Sequence, residues 1–316
     1  MTDHAHTMPP IVSRAPDFIP AFFRGGHVKP ADDMYRVERH ADGSVDCYDI
    51  AYGITPGWRP ARMDLHVPAG GNAPVCIYIH GGAFIAGSHH LEDVKHPHSV
   101  IRAGFVAAGY AFASVDYRYA GEGAFPMGLH DCLAAVRWIR AYGPELGIDV
   151  SRIAVLGESA GAHLAAFVGL NLTDPDLVGV VGGLDVSAHV DVCVPWYAPV
   201  ELGSQPGTAA GEEREWRPED YLIGARTDLR PDLARRASPL HHVGTAQHAP
   251  MLLQHGDADP LVPLSQSERM HAALTRAGFH SELDVVAGGD HAFTTVDCAP
   301  IVARAVAFCD THLRRG

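Results

Sequence analysis

The stretch Ile153-Ala154-Val155-Leu156-Gly157-Glu158-Ser159-Ala160-Gly161 constrains this chain more than any other. Four apolar residues end at a G-x-S-x-G turn, and the turn runs straight into Ala162-His163-Leu164-Ala165-Ala166. A strand that passes into a helix without a loop forces the central serine into a tight, exposed conformation. Gly157 and Gly161 leave room for strand and helix to approach closely. The helix N-terminus then directs free N–H groups and its positive dipole end towards the serine. The bare pattern is weak in a chain with 33 glycines. Its position between an apolar strand and an alanine-rich helix gives it weight.

The rest of the chain has a texture that suits such a turn. Continuous apolar runs at 75–79, 110–115, 153–156 and 251–253 fit strands of a parallel sheet buried on both faces. Helical patterns at 94–108, 127–142, 160–170, 265–277 and 300–313 alternate with them. This predicts a doubly wound α/β sheet. Upstream, residues 35–67 alternate and are broken by Pro and Gly, which predicts antiparallel strands with one wet face. Residues 1–33 are proline-rich with one aromatic cluster at 18–23, and read as an arm packed on the body. Residues 197–249, rich in Gly, Pro, Arg and Glu, read as an excursion between two core strands, and such excursions tend to build sites. A length of 316 residues allows one or two domains.

A serine placed this way needs a base, and the base needs an orienting carboxylate. Two downstream segments supply them. Residues 251–263 read as an apolar strand and a turn that holds Asp257 and Asp259. Residues 285–293 read as a strand end and a loop that carries His291. Asp257 comes first after the strand and suits backbone N–H groups of its own turn. Asp259 lies deeper and is stiffened by Pro260, so it is the favoured acid. His255 is the rival base, but it sits too near the aspartate turn to leave the acid a separate position. The favoured order is therefore Ser159, Asp259, His291.

Upstream, Ile79-His80-Gly81-Gly82-Ala83-Phe84 follows the first core strand. Glycines allow the backbone angles that turn N–H groups inward. N–H groups aimed at a developing oxyanion contribute about 3–4 kcal/mol each. This role is assigned to Gly81, Gly82 and Ala83, with the N–H of Ala160. His80 reads as a brace for the loop. Phe84, Trp196, Tyr197 and Phe293 read as the lining of a substrate pocket, with Trp216, Tyr221 and the arm as further candidates.

Composition narrows the partners. Lys and Arg number 24 against 37 Asp and Glu, a net charge of -13, and Lys29 and Lys95 are the only lysines. That balance argues against nucleic acid and against an anionic membrane surface. No apolar run reaches the roughly 18 residues of a membrane span. The start, MTDHAHTMPP, lacks the cationic and apolar regions of a secretory signal, so a cytoplasmic location is expected. Six cysteines, at 47, 76, 132, 193, 298 and 309, include no C-x-x-C pair and read as buried thiols. The 21 histidines invite a metal reading. The pairs His89-His90 and His241-His242, and His96-Pro97-His98, lack a third ligand at metal spacing, so no metal site is expected.

Five stretches carry a resemblance: IHGGAFIAGS (79–88), SVDYRYAGEGAFPMGLHDCLAAVRWI (114–139), GIDVSRIAVLGESAGAHLAA (147–166), ASPLHHVGTAQHAPMLLQHGDADPLVP (237–263) and GGDHAF (288–293). In order, and from about residue 60 to the C-terminus, they resemble the α/β-hydrolase superfamily. The sequence is most similar to the hormone-sensitive-lipase-like and acetylxylan/feruloyl-esterase-like (BD-FAE-like) carboxylesterases. The resemblance implies an α/β-hydrolase fold: a mostly parallel eight-stranded sheet with helices on both faces and a small cap. It implies an arm at 1–45 that contributes to the cap and a catalytic domain at 46–316, with 197–249 as cap segment. It implies a serine carboxylesterase that hydrolyses small soluble esters of short acyl or aryl acids through an acyl-enzyme, without cofactor, and a homodimer. An aryl formamidase or amidase on the same triad, or a non-catalytic ligand-binding protein of this fold, are the alternatives.

Two departures from the resemblance stand out. Ala83 stands where the family often has a third glycine. Tyr117-Arg118-Tyr119-Ala120-Gly121-Glu122 replaces the common Tyr-Arg-Leu-Ala-Pro-Glu. Both border the expected pocket and bear on the substrate more than on the chemistry. Asp116, Arg118 and Asp131 read as a structural charge network.

Overall fold

A computed structural model of the chain describes residues 35–55, 57–90, 98–183, 185–203 and 215–313. The strands are β1 (Arg36–Arg39), β2 (Val45–Gly53), β3 (Ala61–Val67), β4 (Ala73–Ile79), β5 (Ala111–Val115), β6 (Ile148–Glu158), β7 (Val192–Trp196), β8 (Met251–Gly256) and β9 (Ser281–Val286). The helices are α1 (His98–Ala107), α2 (Met127–Tyr142), α3 (Ala160–Gly169), α4 (Pro175–Val178), α5 (Pro218–Ile223), α6 (Pro231–Arg236), α7 (Ser265–Arg276) and α8 (Ala299–Leu313). Among the described residues, no helix is long and apolar enough to cross a membrane.

All nine strands form one sheet in the order β1-β2-β3-β5-β4-β6-β7-β8-β9. The pairs from β1 to β5 are antiparallel and those from β5 to β9 are parallel. The eight strands expected from the resemblance are thus exceeded by one. The extra strand, β1, lies within the expected arm 1–45. It folds back on β2 through a turn in which Asp42 Oδ1 accepts from the Ser44 N–H and Gly43 takes φ 90°. Residues 1–34, including the aromatic cluster at 18–23, lie outside the described residues, as does the start of the helix expected at 94–108.

Apolar alternation divides the sheet between two cores. Val75, Ile77 and Ile79 of β4 face α2, α3 and α7, while Cys76 and Tyr78 face α1 and α8. The parallel strands are buried on both faces, which is why they read as unbroken apolar runs. All six cysteines are buried free thiols.

β4 lies between β5 and β6. The chain leaves β4 for one neighbour and returns past it to the other. The C-terminal ends of β4 and β6 therefore flank the point where strand order reverses, the usual ligand crevice of open α/β sheets. The loop after β4 and the serine turn after β6 meet there. A third, small apolar cluster covers them: Phe84 and Ala160 pack with Leu202, Leu222, Ile223, Ala234 and Ala237 from the 197–249 excursion.

Candidate active site

Ser159 joins β6 to α3 with φ 52° and ψ −119°. Such backbone costs a non-glycine residue about 1–3 kcal/mol and persists only where the surroundings over-determine it. Here the Ser159 N–H donates to the Trp196 carbonyl, and the Ser159 carbonyl accepts from the His163 N–H, both at 3.0 Å. A Cβ on Gly157 would fall 2.3 Å from the Gly161 oxygen, and one on Gly161 would fall 2.1 Å from the Ile79 oxygen. Both glycines are required by close approach of backbone, and Gly161 brings α3 against the end of β4.

His291 stands in the loop after β9. Its Nε2 lies 3.0 Å from Ser159 Oγ and its Nδ1 lies 2.8 Å from Asp259 Oδ2. The carboxylate fixes the proton on Nδ1 and leaves Nε2 free to accept from the serine. Asp259 Oδ1 accepts from the N–H groups of Leu261 and Val262 at 2.8 and 2.9 Å. Burial raises the Asp259 carboxyl, but hydrogen bonds from His255, His291 and Val262 outweigh it and hold the group well below the ordinary carboxylate range. It stays charged beside the imidazole.

The rivals occupy other positions. His255 is fully buried, with Nδ1 2.8 Å from Ser267 Oγ and Nε2 2.8 Å from the Val262 carbonyl. It steadies the aspartate turn from behind, 3.4 Å from Asp259 Oδ2. Asp257 Oδ1 accepts from the Gly288 N–H at 2.7 Å. It ties the aspartate loop to the histidine loop instead of bonding within its own turn.

On the oxyanion side, Gly82, Ala83 and Phe84 all have positive φ, at 118°, 56° and 66°. Among the described residues, none accepts a hydrogen bond from the N–H of Gly82, Ala83 or Ala160. The Gly81 N–H faces Glu158 Oε1 at 3.5 Å. Gly81 therefore drops out of the expected donor set, because the neighbouring carboxylate takes its N–H. His80 braces the loop as expected: Nδ1 donates to the Gly81 carbonyl at 2.7 Å, and the ring stacks on Tyr117. Asp116 lies beyond it, 3.4 Å from His80 Nε2, and also pairs with Arg59. Burial raises the Asp116 carboxyl, but His80 and Arg59 together bring it below its usual value. Arg118 and Asp131 form a separate buried bidentate pair with two 2.8 Å contacts. The expected charge network is thus two structural pairs.

A cavity of about 590 Å³ opens in front of Ser159. Phe84 and Tyr197 line it, together with Gly81, Gly82, Ala83, Ala160 and His291. Trp196 and Phe293 do not. Both are fully buried, Trp196 Nε1 donates to Gln254 Oε1 at 2.7 Å, and Phe293 packs edge-on against Trp196 and Tyr197. As the last residue of β7, Trp196 points into the core shared with α8; Tyr197, next along the chain, reaches the site. Trp216 and Tyr221 pack on each other and are nearly half exposed.

The sequence reading missed Glu158, Pro199, Leu202, Arg217, Pro218, Glu219, Leu261 and Val262, which also line the cavity. Glu158 had a signal, because it stands inside the G-x-S-x-G turn. Its carboxylate accepts from Tyr78 Oη at 2.7 Å and Tyr197 Oη at 3.0 Å. Tyr197 in turn lies with its ring 4.7 Å from that of His291. Leu261 and Val262 follow Asp259 in the turn already singled out, and the others come from chain segments with no local pattern.

Sheet, turn and loop order together define an α/β-hydrolase. More narrowly, the BD-FAE family model matches residues 63–274, and the chain belongs to that family. A dienelactone hydrolase family model also matches residues 235–314. Esterase LipQ of Mycobacterium tuberculosis is 30% identical over 246 residues, 76% of this chain and 55% of LipQ. Esterase LipC of the same organism is 31% identical over 260 residues, 79% of this chain and 60% of LipC. The chain thus spans little more than half the length of these curated relatives. Among solved structures, a truncated carbohydrate esterase from gut microbiota is 26% identical with a TM-score of 0.74, covering 90% of this chain and 99% of that one. Thermogutta terrifontis esterase 2, solved phosphorylated by paraoxon, shares the fold at 21% identity and a TM-score of 0.65, covering 91% of this chain and 98% of its own.

Proposed function

We propose that this chain is a serine carboxylesterase that hydrolyses small soluble esters of short acyl or aryl acids through an acyl-enzyme. The observation that carries this reading is the continuous line Ser159 Oγ, His291 and Asp259 beside three unengaged N–H groups, at the head of one cavity. Ser159 Oγ attacks the ester carbonyl as His291 Nε2 takes its proton. Asp259 stabilises the imidazolium and keeps its orientation. The N–H groups of Gly82, Ala83 and Ala160 receive the charge that forms on the carbonyl oxygen. His291 returns the proton to the departing alkoxide, and the alcohol leaves. Water, activated by the same histidine, then releases the acid and restores Ser159.

The lining favours small substrates. Phe84, Leu202 and Val262 give it apolar walls, and Glu158, Arg217 and Glu219 are its charged groups besides the triad. A fluorophosphonate probe should label Ser159, and Ser159→Ala should abolish labelling. The same variant should lower kcat on p-nitrophenyl acetate by roughly 10⁴–10⁶. Near-normal turnover by the alanine variant would overturn the proposal. A matched panel of esters and amides, including N-formyl arylamines, should show ester turnover dominant.

A further inference from the structure

His89-His90 carries two imidazoles but no third ligand at sequence spacing. The fold supplies two more ligands, from strands 25 and 40 residues upstream. Asp64 lies mid-way along β3 with its side chain fully buried, and Asp49 lies on β2 beside it. Asp49 stands at an irregularity of the β2–β3 register with φ 60°, and its N–H donates to Asp64 Oδ1 at 2.7 Å. His89 Nε2 is 3.2 Å from Asp49 Oδ1 and 3.7 Å from Asp64 Oδ1, and His90 Nδ1 is 3.5 Å from Asp64 Oδ2. One ligand atom from each of the four residues lies within 4.8 Å of all the others.

We propose that Asp49, Asp64, His89 and His90 form a structural site for a divalent metal ion of the zinc class. Zinc bonds to imidazole nitrogen and carboxylate oxygen are about 2.0–2.2 Å, so neighbouring ligands of a tetrahedral ion stand about 3.4 Å apart. The separations from His89 Nε2 to Asp49 and Asp64, 3.2 and 3.7 Å, bracket that distance, His90 stands 3.5 Å from the other Asp64 oxygen, and the widest span of the set needs to close by a little over 1 Å. Two imidazoles with two carboxylates favour zinc over calcium or magnesium, which prefer all-oxygen sets. Two carboxylates and two neutral imidazoles also balance a dication. Arg62, 3.8 Å from Asp49 Oδ1, lies at the solvent edge and has room to turn away.

The outer contacts fit a ligand role. His89 Nδ1, the nitrogen away from the cluster, faces Asp116 Oδ2 at 3.8 Å. Ligating histidines commonly direct their second nitrogen to a carboxylate in this way. Asp116 is also the group beyond His80, so the ion would tie β2 and β3 to the brace of the oxyanion loop. None of the four ligands lines the cavity before Ser159, which makes the site structural and not catalytic.

The test uses the full chain, stripped by chelator and titrated with zinc by calorimetry and with cobalt(II) in visible absorption. We expect one tight equivalent, the intense d–d bands of four-coordinate cobalt, and a zinc-dependent rise in Tm. His90→Ala and Asp49→Asn replace the two half-exposed ligands and so spare the core. Each should weaken zinc by about 10–100-fold or more. Substitution of the second pair, His241→Ala with His242→Ala, should leave affinity unchanged. Weak binding at several equivalents, or a tight equivalent that survives both ligand substitutions, would overturn the proposal.

Discussion

The floor of the cavity holds Ser159 through backbone, whereas its roof rests on apolar side chains. On the floor, Ser159 is pinned by main-chain bonds to Trp196 and His163, and Gly161 packs its helix on the Ile79 and His80 carbonyls. The roof is built from residues 199–203 together with α5 and α6, where Leu202, Leu222, Ile223, Ala234 and Ala237 gather over Phe84 and Ala160. Polar anchors tie it to other elements as well: Ser238 Oγ receives the Leu202 N–H, Gln266 Oε1 receives those of Val200 and Glu201, and the Leu222 carbonyl accepts from the Phe125 N–H. Geometry held by backbone is set by the sheet and tolerates little change. Apolar cover can be re-shaped one side chain at a time. Under the proposed function, the floor would carry the chemistry and the roof would set substrate choice.

The sharpest way to break this comparison is on the floor. Asp259→Asn leaves the shape but takes away the charge that fixes the His291 tautomer, and should lower kcat/KM by about 10⁴-fold. Asp257→Asn disturbs only the link to the Gly288 N–H and should cost less than about tenfold. A larger loss at 257 than at 259 in parallel steady-state assays would reverse the two assignments.

The next prediction concerns the joint between floor and roof. His163 is fully buried in α3, with Nδ1–H donating to the Pro199 carbonyl at 2.7 Å and Phe84 edge-on to its ring. Burial pulls its imidazole down to about 4 despite that hydrogen bond. Between pH 6.5 and 4 the unfolded chain therefore takes a proton that the folded chain refuses. The stability His163 sustains is present above pH 6.5 and lost as pH falls towards 4, by up to about 3 kcal/mol. Asn at 163 keeps a donor for Pro199 without the titration. Urea unfolding at pH 7 and 4.5 should show a smaller acid loss in His163→Asn than in the parent. Equal losses in both would clear His163 of any part in acid sensitivity.

How far the sequence foretells each region follows the same division. The floor was legible because strand-end motifs are local: G-x-S-x-G, the Gly81-Gly82 run and the order Ser159, Asp259, His291 lie in short stretches whose backbone demands are known. The roof was not, because Leu202 reaches the cavity from a turn, and Arg217 and Glu219 from the start of a six-residue helix, neither with a period to read. Trp196 and Phe293 misled because aromatic character does not say which face of β7 a residue takes. Gly81 misled because its N–H is claimed by Glu158, a side chain seventy-seven residues away. The antiparallel pairing of β1 on β2 was legible in the alternation that begins at residue 35, although all four residues of β1 are exposed.

On the roof, Leu202→Ala should move selectivity and spare chemistry. Leu202 lines the cavity and is mostly buried in the cluster that also holds Phe84. Removing its branched end makes space that a longer acyl chain can fill, and pockets discriminate by about 1–3 kcal/mol per methylene. Across p-nitrophenyl acetate, butyrate and hexanoate, the kcat/KM ratio of long to short chains should rise about tenfold, with kcat on acetate within about threefold of the parent. A fall in kcat on every ester alike would mean that the roof also shapes the reacting geometry.

The smallest effect returns to the floor, at Ala83, which like Phe84 and Ser159 takes a positive φ without being glycine. Ala83 has φ 56°, a left-handed conformation that costs an L-residue with a Cβ about 1–2 kcal/mol. Ala83→Gly removes that strain but gives the unfolded chain more freedom, which takes back about 0.4–1 kcal/mol. The net should be a gain of no more than about 1 kcal/mol in urea unfolding. Turnover should stay within about threefold, because the Ala83 N–H remains where the loop holds it and His80 still braces the turn. A large loss of activity with unchanged stability would show that the Ala83 methyl itself steers the N–H, and that this part of the floor depends on side-chain packing as the roof does.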